Sequence, residues 1–203
     1  MHAWIGVALI MGMFLVGCGK EDSWDQWTQE CMAINKNGQI TYCVTGAFNE
    51  EYYDLEELTG MAVQEVEKFN GEHKKDDNVP VTVVDISKIG ENGEAVRVVY
   101  QFDGCKSYSD FVESELYFER LAETFQNQRI YTGTELMGKS ESLILDDAAK
   151  AKYKERHVIV TDVKTLIHTP YAAQYYSYGV KVLEDGTIDT TGCEDTAIIL
   201  LKK

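Results

Sequence analysis

The sequence predicts an α+β fold: an antiparallel sheet built from hairpins, two main helices packed on it, and a strand-rich C-terminal part. Three observations predict it. Asn-Gly pairs at 37–38 and 92–93 each separate two alternating apolar runs, the strongest short-range hairpin signal. Residues 55–69 carry apolar side chains at helical spacing. Runs at 158–163, 175–183 and 196–201 alternate or are β-branched, and read as strands. Strand, helix, two strands, helix and then mostly strands is an α+β order.

The first hairpin covers 31–44. A two-residue turn and a three-residue loop both fit; the loop, 36–38, with Gly38 left-handed, sets Asn35 opposite Gln39 and Cys31 opposite Cys43. It gathers Met32, Ile34, Ile40, Tyr42 and Val44 on one face. Asp54 and Glu57 then form a capping box ahead of the stripe Leu55, Leu58, Ala62, Val66 and Phe69. Asn70-Gly71 is expected to stop that helix. Runs at 81–89 and 95–102 flank Glu91-Asn92-Gly93 as a second hairpin. Ser107 with Asp110 is expected to start a second helix carrying Phe111, Leu121 and Phe125 on one side.

The chain has 203 residues, 44% apolar and 26% charged, ordinary for packed globular protein. Thirty-four acidic against nineteen basic residues give a net charge of −15, with no basic cluster to offset it. Such a surface repels phosphate backbones, which argues against nucleic-acid binding. Solubility is the simplest use of the charge.

Residues 1–19 contain no Lys, Arg, Asp or Glu, and the stretch 14–20 reads FLVGCGK. Residues 3–17 have the length of a signal-peptide hydrophobic region and are short for a membrane span, which needs ~20 apolar residues. Leu15, Val16, Gly17 and Cys18 resemble the bacterial lipobox. That resemblance implies diacylglyceryl on the Cys18 sulfur, cleavage before it, and anchorage to the membrane on its extracytoplasmic face. Two acyl chains hold a protein stably where one holds it only marginally. The expected organisation is a signal peptide at 1–17, an acidic tether at 18–30 and a compact domain at 31–203, with a sub-boundary near 127. Trp24 and Trp27 in the tether can meet either the bilayer interface or the domain. Only the α-amine and His2 supply positive charge at the start, so an uncleaved anchor with Cys18 as a bystander is the other reading.

The segment 48–69, FNEEYYDLEELTGMAVQEVEKF, and the later VRVVYQFDGCKSYSDFV resemble a group of uncharacterised lipoproteins from anaerobic Gram-positive gut bacteria, with VKVLEDG a fainter echo. The resemblance implies an envelope lipoprotein and an extended segment at 113–118 that breaks the second helix. It implies no activity, cofactor or catalytic residue.

Four cysteines follow Cys18: Cys31, Cys43, Cys105 and Cys193. Outside the cytoplasm they can form disulfides. Hairpin register favours Cys31 with Cys43, and elimination leaves Cys105 with Cys193; free thiols in a reducing habitat are the alternative. Cys105 also stands ahead of a helix, where the macrodipole lowers a thiol pKa. His157 opens an apolar strand and could serve as its base, as in papain-like cell-wall amidases and peptidases. No third catalytic residue can be assigned.

Other chemistry is thinner. The sequence holds no His-x-x-x-His, Cys-x-x-Cys, phosphate-binding glycine loop or Gly-x-Ser-x-Gly, so no metal or cofactor is expected. His73 sits in a polar stretch with Lys74, Lys75, Asp76 and Asp77, a solvated connection. Tyr171, Tyr175, Tyr176 and Tyr178 could line a carbohydrate or peptide groove; alternation along a strand instead sends Tyr176, Tyr178, Val180 and Val182 to the core and Tyr175 outside, which is the favoured reading. Residues 31–203 leave little room for a two-lobed transport receptor. The expected function is therefore that of a non-enzymatic, lipid-anchored binding or assembly component of a Gram-positive envelope, meeting an envelope protein or glycan. A Cys105-dependent cell-wall hydrolase is the alternative.

Overall fold

The computed structural model describes residues 24–74 and 78–202; the lipobox, the signal segment and residues 18–23 of the expected tether lie outside them. Two sheets carry the fold. The first orders its strands β11-β12-β9-β1-β2-β4-β3, where β1 is Cys31–Ile34, β2 Ile40–Ala47, β3 Val81–Ile89, β4 Ala95–Phe102, β9 Leu166–His168, β11 Lys181–Val182 and β12 Ile188–Asp189. The second runs β5-β8-β13-β10-β6-β7, from β5 Leu116–Arg120, β6 Glu135–Met137, β7 Ser142–Ile144, β8 His157–Thr161, β10 Ala173–Tyr176 and β13 Ala197–Leu201. Helices α1 (Leu55–His73), α2 (Cys105–Val112), α3 (Leu121–Gln126) and α4 (Asp147–Tyr153) complete it. Pairing is antiparallel except between β1 and β9. The α+β class is as expected; the described residues form two sheets rather than one and four α-helices rather than two.

Both hairpins form, and the first takes its expected register. Cys31 pairs with Cys43 and Ile34 with Ile40; Gly38 has φ +80°, and the Asn35 N–H donates to the Gln39 carbonyl at 3.0 Å. Met32, Ile34, Ile40 and Tyr42 are buried on one face, with Val44 packed beside them. This face meets Leu58, Val66 and Phe69 of α1, Tyr108 and Phe111 of α2, and Leu116, Ile159 and Ile199 of the second sheet. The opposite face of the second sheet buries Val158, Val160, Tyr175 and Leu200 beneath Leu121, Ala149 and Tyr153 of α3 and α4. Strands β9, β11 and β12, all from beyond residue 127, complete the first sheet. The main core thus draws on residues from both sides of position 127.

Four expectations are corrected. Asp54 caps α1, accepting from the Glu56 and Glu57 N–H groups, but the helix runs through Asn70-Gly71 to His73. Asn70 is held there because its side chain bonds both the N–H and the carbonyl of Val81, a tertiary anchor that overrides the stop signal. The second helix starts at Cys105 behind Gly104, not at Ser107. It ends at a left-handed Glu113 (φ 57°), and β5 begins at Leu116. The 175–183 run divides: Tyr175 is buried, whereas Tyr178 is 87% exposed in a turn before Gly179, which has φ +89°. Tyr175 and Tyr176 do alternate, but the second sheet is covered on both faces, so Tyr175 packs beneath α3 and α4 while Tyr176 meets the main core. Tyr178 lies beyond the end of the strand. Finally, the expected tether ends early: Trp24–Gln26 forms a short 3-10 helix, and Trp27 is buried with Cys31, Cys43 and Val99 on the outer face of the first sheet. No helix among the described residues is long and apolar enough to cross a membrane.

Candidate functional site

Three features carry chemical potential. The first is a clamp on the N-terminal segment. Arg97, in the middle of β4, is a buried cation. Its Nε and Nη2 donate to Asp85 Oδ2 at 3.1 and 2.9 Å, and Nη2 also donates to Ser87 Oγ. Nη1 donates to the main-chain carbonyls of Trp24, Asp25 and Trp27 at 3.1, 2.8 and 3.1 Å. The guanidinium stacks on Trp24, 5.5 Å from its ring centre, while Trp27 lies parallel to His168 at 5.5 Å. A buried charge is tolerable only when its donors are matched, and here one side chain ties residues 24–27 to the sheet. A lone Arg and a lone Asp inside two apolar strands, VRVVYQF and VTVVDIS, were the signal for this pairing; the sequence reasoning did not use it.

The second feature is the cysteine–histidine neighbourhood. Cys105 is half-buried at the first turn of α2, and the Phe118 main-chain N–H donates to its sulfur. Burial nevertheless dominates and pushes the thiol up to about 11. The expected depressed pKa does not hold, because desolvation of the thiolate outweighs the helix terminus. His157 pairs with Arg120 across β5 and β8. Its ring stacks between Phe118 (4.6 Å) and Tyr171 (5.2 Å), nearly parallel to both. Burial and the Arg120 charge hold its pKa below the ordinary histidine value. Phe118 therefore meets each of them, Cys105 through its main chain and His157 through its ring.

The remaining cysteines divide. Cys31 and Cys43 are adjacent and stand as thiols, and a hydrogen bond from Cys31 lowers the Cys43 pKa. Counting alternately from the hydrogen-bonded Asn35–Gln39 pair, Cys31–Cys43 falls on a hydrogen-bonded position, where Cα atoms sit ~5.5 Å apart, a separation that disulfides also span. Register brings the two sulfurs together. Cys193 lies near Lys164 and Asp189 and Cys105 near Phe118, Glu119 and Arg129; both border the main core.

The third feature is a groove of about 430 Å³ between the 127–134 loop and the second sheet, lined by Glu115, Tyr117, Asn127, Gln128, Arg129, Tyr131, Thr196 and Ile198 among others. Glu119 organises it, accepting from Arg129 Nε at 2.8 Å and Asn127 Nδ2 at 3.0 Å. Arg129 lies 3.3 Å above the Tyr117 ring centre. Between Asn127 and Arg129 the backbone turns through a left-handed Gln128 (φ 57°). The Arg129 N–H reaches the Thr124 carbonyl and the Gln128 N–H that of Phe125, the Schellman pattern that normally uses glycine. Tyr131 is 70% exposed at the rim. Aromatic faces, an arginine and amides suit a polar, ring-bearing ligand. This polar loop gave no sequence signal. A second depression, about 490 Å³, lies along α1 beside Tyr100. His73 ends α1 stacked on Phe69 at 4.0 Å; residues 75–77 lie outside the description. Among the described residues no three His, Cys, Asp or Glu side chains gather as a metal site.

Compared with known proteins, the chain matches no family model, no curated protein and no solved structure.

Proposed function

We propose that the protein is a lipid-anchored, extracytoplasmic component of a Gram-positive cell envelope that works by binding or assembly rather than by catalysis. The observation that carries this reading is the Leu15-Val16-Gly17-Cys18 motif at the end of an apolar, charge-free stretch. Lipid on Cys18 holds the protein at the membrane, and a face of the domain meets an envelope protein or glycan. The groove organised by Glu119 and Arg129 supports a binding role, since its charges are matched before any ligand arrives. The hydrolase alternative needs an acidic thiol at Cys105 with His157 as its base, and burial, which raises that thiol's pKa, speaks against it.

The test is crosslinking in cells with the intact protein, using Cys18→Ala as the untethered control. A recurrent envelope protein or glycan, lost on untethering and weakened by Arg129→Ala, is the expected result. Cleavage of cell-wall material that depends on Cys105 would contradict the reading.

A further inference from the structure

Five residues, 19–23, separate Cys18 from the first clamped residue, Trp24. Six Cα–Cα steps reach at most about 22 Å whatever their conformation. Resting on the lipid anchor proposed above, this limit gives the domain an orientation. We infer that the end of the first sheet bearing the 48–54 loop and the β3–β4 turn is a membrane-facing surface, with the exposed Tyr52 ring as its point of contact with the lipid headgroups.

The direction follows from register. Chain N-terminal to Cys31 runs on beyond the Cys31–Cys43 pair toward Thr45, which faces Arg97, which in turn faces Ser87. Arg97 holds residues 24–27 at that level. Phe48 closes the same end, its N–H bonded to the Glu94 carbonyl and its ring stacked on Tyr53, which meets Tyr52 edge-on. Tyr52 is 75% exposed. The opposite end, at the 36–38 turn, lies roughly 25 Å from the clamp at strand rise. A leash of about 22 Å cannot bring that end to the bilayer before the near end arrives. Tyrosine suits this place, since its ring is apolar and its hydroxyl stays wet. The exposed Glu50, Glu51, Glu91 and Glu94 at the same end favour uncharged headgroups and keep the domain at the surface.

The test uses the purified lipidated protein on phosphatidylcholine vesicles bearing a headgroup energy-transfer acceptor. A donor dye is placed by maleimide at neutral pH on Tyr52→Cys, Lys36→Cys or Thr82→Cys; the native internal thiols are buried or half-buried. Flotation comes first. If the native protein does not float while intact, the anchor fails and the orientation falls with it. If it floats and Cys18→Ala does not, transfer from position 52 is expected to exceed that from 36 and 82 at least twofold. Added Arg97→Ala should erase the difference by lengthening the leash. Equal transfer from 52 and 36, or transfer from 82 matching 52, in a protein that floats would overturn the orientation while leaving the anchor intact.

Discussion

Arg97 donates to the main-chain carbonyl of Trp27 at 3.1 Å, and Trp27 is buried against the outer face of the first sheet. The same guanidinium is neutralised by Asp85. Removing one partner of a buried charge pair is costly, about 3–5 kcal/mol. Arg97→Ala is thus expected to destabilise the domain by about 3 kcal/mol in urea titration. It should also red-shift tryptophan emission in the native state, as residues 24–27 leave the sheet. An unshifted spectrum would show that packing alone holds the segment.

Cys105 differs from a nucleophile in a measurable way. Raised from 9.0 to about 11, its thiolate fraction near neutral pH is about a hundredfold below that of an unperturbed thiol, as two pKa units require. Iodoacetamide at pH 8 should therefore modify Cys105 about a hundredfold more slowly in the folded protein than in urea. The sign is fixed: the rate climbs toward pH 11 and is negligible at mildly acidic pH. Fast alkylation at pH 6 would restore the hydrolase reading.

Cys31 and Cys43 are expected to remain thiols in air, because both are buried in the sheet and closed to oxidants. Intact mass before and after dithiothreitol should be the same, and the melting temperature should not move. A gain of two mass units on reduction, mapped to this pair, would show that the paired positions close a disulfide.

Gln128 occupies a left-handed position that glycine fills without strain. Relief of about 1–2 kcal/mol, set against the greater unfolded-state freedom of glycine, about 0.4–1 kcal/mol, leaves Gln128→Gly more stable by about 0.5–1 kcal/mol. A rise of roughly 2–3 °C in calorimetry is expected. A fall would mean that the Gln128 side chain contributes contacts of its own at the groove.

What was legible in the sequence depended on local physics. The first two hairpins and the start of α1 were readable because turn glycines, alternation and an aspartate cap act within a few residues. The C-terminal strands were harder. Their breaks at Tyr178-Gly179 and their partners, including the parallel β1–β9 pair, are set by contacts distant in sequence. The end of α1 was misjudged for the same reason, since Val81 holds Asn70 in the helix. Of the candidate site, the cysteine positions and the Cys31–Cys43 register were legible, but the Cys105 environment was not: helix-start position says nothing of burial. The Arg97 clamp and the Arg129 groove both join residues across long separations, and only the isolated charge within an apolar strand hinted at the first.

The most direct measurement is metabolic labelling of the full-length protein in a Gram-positive host with an alkyne fatty acid, followed by mass spectrometry of the N-terminal peptide. The expected result is a mature chain beginning at Cys18 and carrying diacylglyceryl, with label and membrane association lost in Cys18→Ala. An unlabelled chain that keeps residues 1–17, or equal membrane association of Cys18→Ala, would contradict it.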